Sequence, residues 1–133
     1  MATTNQAVDL HLHTNKSDGT MSPKELVRHA HEEGISLMAI TDHDTTAGVQ
    51  EGWEEAERLG IECVPSVEIS SLYTGGVLHI LGFGVNIDDD GLKKNLADFQ
   101  AARRERNDQI IAKLQNLDID ITIEELSPFS ASS

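Results

Sequence analysis

Apolar and polar residues alternate over residues 7–14 (AVDLHLHT), the period-two pattern of a strand. A polar stretch follows, NKSDGTMS, with Asp18-Gly19 as its turn signal. Ser22, Pro23 and Glu25 then predict a helix start, as N-cap, first helical position and N3 partner of a capping box. Its apolar positions include Leu26, Val27 and Ala30, and Gly34 predicts its end. ISLMAIT (35–41) reads as a second strand, apolar enough to be buried on both faces. A second helix is predicted over 45–60, with Val49, Trp53 and Ala56 on one side and Gly60 as its stop. IECVPSVEIS (61–70) and GGVLHILGFGV (75–85) read as the third and fourth strands, the latter after a Gly75-Gly76 turn. Strands alternating with helices of 10 to 15 residues predict βαβ units and a parallel sheet.

Beyond residue 87 the pattern changes. Leu92, Leu96, Phe99, Ile110, Leu114 and Leu117 keep helical spacing, yet Arg103 and Arg106 fall in the same stripe. Either the helix breaks there, or the two arginines face something other than a core. A short extended segment is expected next, then a helical start at Thr122 with Glu125 completing a capping box. SPFSASS (127–133) has no periodicity and is expected to be an unstructured tail. The chain thus divides into 1–87, 88–126 and 127–133.

A length of 133 residues fits one domain. The net charge of −13, from 23 acidic against 10 basic residues, argues against affinity for duplex DNA or anionic membranes. A phosphate would need a local positive site or bound cations. The single Cys63 rules out an internal disulfide and fits a reducing compartment. MATTNQ lacks the basic and apolar regions of a signal peptide, and no apolar run approaches the ~18 residues of a membrane span. A cytoplasmic protein is expected.

His11 and His13 project from the same side of the first strand, ~7 Å apart along the backbone, with Asp9 on that face too. His43 follows the second strand, Glu68 sits near the end of the third, His79 lies within the fourth, and Asp18 occupies the first loop. In a parallel α/β sheet the C-terminal strand ends form one rim, where active sites collect. Histidines and carboxylates are costly core residues, so their convergence there points to a metal cluster. Without cysteine, this set suits Zn, Mn or Fe, and Glu68 could bridge two ions ~3.5–4 Å apart. Asp42 and Asp44 are expected to orient neighbouring imidazoles or cap the next helix. Arg103 and Arg106 are candidates for gripping a substrate phosphate, the alternative being an exposed charged helix face. His29 and His31 fall on different faces of the first helix and are not metal candidates. Cys63 reads as a small buried hydrophobe, and no Gly-rich phosphate loop is present.

DLHLHTNKSDGTMSPKEL, ITDHDTTAGV, VPSVEIS and HILGFGV, in that order, resemble the first motifs of the PHP (polymerase and histidinol phosphatase) domain. They look closest to its small stand-alone metal-dependent phosphoesterases, the TrpH-like branch. The resemblance implies the N-terminal half of a distorted (β/α)7 TIM-like barrel, with the helical stretch 88–126 as an insertion over the site. It implies two or three divalent ions and hydrolysis of phosphate esters by a metal-bound hydroxide. His11 and His13 would hold one ion, Glu68 would bridge it to a second that His79 helps to hold, and Asp18 and His43 would belong to the third. Nucleotide 3′,5′-bisphosphates and short RNA 5′ ends are the implied substrates. The family has about twice this length, with a further His and a late Asp-x-His pair, whereas no His follows His79 here. An open sheet edge is therefore expected, closed by a C-terminal half or by self-association. The alternatives are a truncated, non-catalytic metal-binding remnant and the PHP module of a DNA polymerase.

Overall fold

The computed structural model describes residues 7–126. Its elements are β1 (Ala7–Leu12), α1 (Pro23–Glu32), β2 (Ile35–Ile40), α2 (Val49–Leu59), β3 (Glu62–Tyr73), β4 (Gly76–Phe83), α3 (Asp90–Gln115) and α4 (Ile123–Leu126). The strands form one four-stranded sheet in the order β1-β2-β3-β4.

Local chemistry accounts for the helix ends. The Ser22 hydroxyl accepts the Glu25 N–H at 3.3 Å, while the Glu25 carboxylate accepts the Ser22 N–H at 2.8 Å. α2 closes at Gly60, whose φ of 75° is the left-handed conformation a glycine adopts without a Cβ penalty. α3 is capped by Asp89, whose side chain accepts the Leu92 N–H at 2.7 Å. The expected capping box at Thr122 and Glu125 also forms.

The core lies on one face of the sheet. Leu26, Val27 and Ala30 of α1 pack on Met38 and Ile40 of β2, joined by Ala56 of α2 and by Ile61 and Cys63. Met38 and Ile40 share that face because side chains alternate along a strand. α2 lies so close to β2 that a Cβ at Gly52 would meet Ile40 Cδ1 at 2.2 Å. Trp53 is 41% exposed rather than inward, because the buried face of α2 runs through Val49, Gly52 and Ala56. β2 is fully buried only over Met38, Ala39 and Ile40.

The sheet is parallel only in part. β1, β2 and the start of β3 are parallel, with Leu37 to Ile40 paired against Glu62 to Pro65. From Ser66 onward β3 pairs antiparallel with β4, ending at Tyr73 opposite Gly76. The two residues between them suffice for a hairpin, whereas a parallel return needs a long crossover.

α3 runs unbroken through Arg103 and Arg106, so the charged interruption in its stripe is not a helix break. Leu96 is its one buried residue. Among the described residues no helix is long and apolar enough to cross a membrane. The tail expected over 127–133 lies outside the described residues.

Candidate metal centre

Each candidate ligand is placed by an identifiable local device. β1 and the residue directly after it present His11 and His13 on one side. The loop after it folds back through hydrogen bonds from Asn15 N–H to the Met21 carbonyl at 2.8 Å and from Gly19 N–H to the Thr14 carbonyl at 2.9 Å. A Cβ at Gly19 would lie 2.3 Å from the His13 carbonyl oxygen, so only glycine allows this close approach. The fold-back returns Asp18 to His13, with Oδ1 3.2 Å from Nδ1. His43 is held by an isolated parallel β-bridge to Glu68. His79 lies opposite Ser70 in the β3–β4 register, so it shares a sheet face with Glu68 as a diagonal neighbour.

Glu68 is the centre of the cluster and is 2% exposed. Its Oε2 lies 3.0 Å from His11 Nε2, 3.1 Å from His13 Nε2 and 3.5 Å from His43 Nδ1. Its Oε1 lies 2.9 Å from His79 Nδ1. Asp18 Oδ2 is 3.5 Å from His43 Nε2. Three overlapping groups result, each with its donor atoms within 4.8 Å of one another: His11/His13/Glu68, His13/Asp18/His43 and His43/Glu68/His79. Asp9 joins none of them, and neither do His29 and His31, which are exposed on α1.

Burial alone would raise the Glu68 pKa, but the His11 hydrogen bond and the charges of His43, His11 and His13 outweigh it and hold the carboxyl below its ordinary value. His43 moves the other way for its class: burial lowers its pKa, with Glu68 and Asp18 only partly restoring it. A neutral imidazole is the form that binds a metal. His43 Nδ1 is also buried without a hydrogen-bond partner, a costly state for a polar nitrogen unless another acceptor of its lone pair arrives. With four imidazoles and two carboxylates converging, the donor set fits divalent ions such as Zn, Mn or Fe.

The two aspartates beside His43 brace the loops rather than touch imidazoles. Asp42 is fully buried and accepts Thr14 N–H at 2.7 Å, the Thr14 hydroxyl at 2.6 Å and the Ser17 hydroxyl at 2.7 Å. It reaches His13 only through Ser17, whose Oγ lies 3.4 Å from Nδ1. Asp44 has a left-handed φ of 53° and accepts the Ser70 N–H at 2.8 Å and Arg103 Nη2 at 2.5 Å. Neither caps α2, whose N-cap is Gly48. Cys63 is in the core, where burial pushes its thiol up to about 11, against a smaller opposing effect of the Ile40 backbone.

Arg103 is thus tied to Asp44, and also donates to the Ser70 hydroxyl at 2.7 Å. Arg106 is exposed farther along α3. Beside His43 lies a cavity of about 130 Å³, lined by Lys16, Ser17, Thr45, Gln100, Arg103, Arg104 and Asn107. The sequence pattern by itself does not single out Lys16, Ser17, Thr45, Gln100, Arg104 or Asn107. The available signal was the spacing of positions 100, 103, 104 and 107, one polar face of a helix.

Comparison with known proteins points to one family. The PHP domain family model matches residues 9–122. The chain is 41% identical over 117 residues to the 5′-3′ exoribonuclease Rnm of Escherichia coli, covering 85% of this chain and 40% of that protein. It is 35% identical over 108 residues to the 3′,5′-nucleoside bisphosphate phosphatase of Chromobacterium violaceum, covering 81% and 38%. Among solved structures, a protein from Bifidobacterium adolescentis described as a metal-dependent phosphoesterase superposes with a TM-score of 0.84 at 32% identity, over 97% of this chain and 44% of that one. The chain spans about two fifths of the length of these curated relatives. With the family model matching most of its length, and with the fold and histidine-carboxylate cluster described above, the chain belongs to the PHP domain family.

Proposed function

We propose that this chain carries the metal-binding part of a phosphoesterase that hydrolyses phosphate esters of nucleotides or short RNA ends. The observation that carries the reading is Glu68, a buried carboxylate with four imidazole nitrogens within 3.5 Å of its two oxygens. His11 and His13 would hold one divalent ion, Glu68 would be shared between it and a second that His79 would help to hold, and Asp18 and His43 would serve a third. Mn, Zn and Fe all suit this set. Such ions, when bound, supply positive charge to the phosphoryl group and a nucleophile from water near neutral pH.

The chain's own residues do the rest. Asp42 and Ser17 hold the His13 loop in place. Asp44 ties α3 to β3 through Arg103 and Ser70. α3, within the segment 88–126, lies beside the site, where Gln100 and Arg103 reach Asp44. The small cavity beside His43 gathers Lys16, Arg103 and Arg104 in a chain of net charge −13, which favours an anion there and little elsewhere. The relatives' activities on nucleoside bisphosphates and RNA support the same substrate class.

The test compares wild type with the His11→Ala/Glu68→Ala double variant. Wild type is expected to retain Mn²⁺ on equilibrium dialysis and to release phosphate from a nucleoside 3′,5′-bisphosphate. Equal phosphate release by both proteins would refute the proposal, as would equal metal retention.

A further inference from the structure

A second, larger cavity of about 390 Å³ lies between the β3–β4 hairpin and α3. Its lining is largely apolar, with Ile69, Val77, Phe99 and Ala102, and includes Arg103 and Arg106. Phe99 is 39% exposed, and so presents an aromatic surface to whatever enters. The cavity adjoins the candidate ligands through their neighbours: Asp44 and Ser70 also line it, one directly after His43 and the other opposite His79. Arg103 is shared with the small cationic cavity on the other side.

We infer that this groove takes the base of a nucleoside substrate, with Phe99 as its stacking platform; the inference rests on the phosphoesterase reading above. The volume falls in the usual range for small-molecule sites, which are mostly apolar with a few placed polar groups. An aromatic side chain stacks with any base, because every base has a π-face. Arg103 is paired with Asp44 and Arg106 adds a second guanidinium, so the cationic side of the groove outweighs its one carboxylate: an occupant here is flat and apolar in body and carries an anionic group toward the arginines. A nucleoside phosphate has that form, with its phosphate toward the cluster and its base over Phe99. Four of the ten basic residues, Lys16, Arg103, Arg104 and Arg106, line these two adjoining cavities, which is where the chain concentrates its positive charge. Phe99 is then a specificity-determining residue that separates nucleoside esters from small aliphatic ones.

The test titrates adenosine, adenosine 5′-monophosphate and ribose 5-phosphate into the metal-free 133-residue chain, following the NMR resonances of Val77 and Ala102. The nucleotide should bind about tenfold tighter than ribose 5-phosphate, and adenosine alone should shift both resonances. Phe99→Leu keeps an apolar side chain but removes the aromatic face. It should cost the nucleotide that tenfold advantage and leave ribose 5-phosphate unchanged. Equal affinity for the two phosphates in wild type, or a Phe99→Leu protein that binds the nucleotide undiminished, overturns the groove. If ribose 5-phosphate then still shifts resonances around Lys16 and Arg104, the phosphoesterase reading stands without it. Adenosine shifts at Val77 and Ala102 with no response to either phosphate group would keep the groove as a base site and remove Arg103 as its phosphate contact.

Discussion

His43 and Glu68 face each other across a single parallel β-bridge, with Asp44 N–H donating to the Glu68 carbonyl at 2.8 Å and Glu68 N–H to the Asp42 carbonyl at 3.2 Å. Their side chains approach to only 3.5 Å and make no hydrogen bond. The backbone thus holds the two residues together independently of side-chain charge.

Glu68→Gln should therefore keep the fold and lose the metal response. Ion binding at a hundred times its dissociation constant stabilises the native state by about 2.7 kcal/mol. For a domain of this size that raises Tm by on the order of 10 °C. Calorimetry with Mn²⁺ and with chelator is expected to give that rise in wild type and less than a third of it in Glu68→Gln. An equal rise in both would exclude Glu68 as a ligand.

Asp42→Ala should be among the costly substitutions. It strips the acceptor from the buried Thr14 N–H and from two hydroxyls, and unlike the hydroxyls the amide cannot turn elsewhere. A loss of about 3 kcal/mol is expected, read as a lower urea midpoint at constant slope. Asp42→Asn keeps the shape and one acceptor oxygen, so it should lose roughly half as much. A midpoint unmoved in Asp42→Ala would show that the Thr14 donors find other partners.

Gly19→Ala tests the loop that carries Asp18. The new methyl would fall 2.3 Å from the His13 carbonyl oxygen, so the loop must lift and take Asp18 with it. Overpacking of this kind costs about 1–3 kcal/mol. Mn²⁺ affinity should fall as well. Gly34→Ala is the comparison, since its methyl meets open space and only the positive φ of 77° is strained. That variant should lose stability without losing affinity.

Glu55 predicts an acid-side dependence of stability. Hydrogen bonds from Arg58 and Arg28 hold its carboxyl at about 2, below the ordinary 4.5. A carboxyl lowered in the folded state stabilises above its unfolded pKa, and that contribution is lost as pH falls through the folded value. The loss belongs to the window from about 4.5 down to about 2. Urea unfolding at pH 6, 4 and 3 should show wild type converging on Glu55→Gln as pH falls. Parallel curves would mean that the ion pairs contribute nothing measurable.

Much of this protein was legible from local pattern. The Ser22–Glu25 capping box, the glycine that ends α2 and the shared side of His11 and His13 follow from spacing alone, because caps and strand alternation involve residues a few positions apart. The ligand residues could be nominated because histidines and carboxylates recur at strand ends, and their motifs carry a family resemblance. Their grouping was a matter of tertiary structure: His11 meets Glu68 across 57 positions and Arg103 meets Asp44 across 59. The direction of β4, the outward Trp53 and the bracing partners of Asp42 and Asp44 depended on such distant contacts too. Helical periodicity fixes which residues of α3 share a face, and here those at 100, 103, 104 and 107 meet the cavity beside His43. What that face turns toward is decided by the elements it packs on, and residue spacing within one helix carries no information about them.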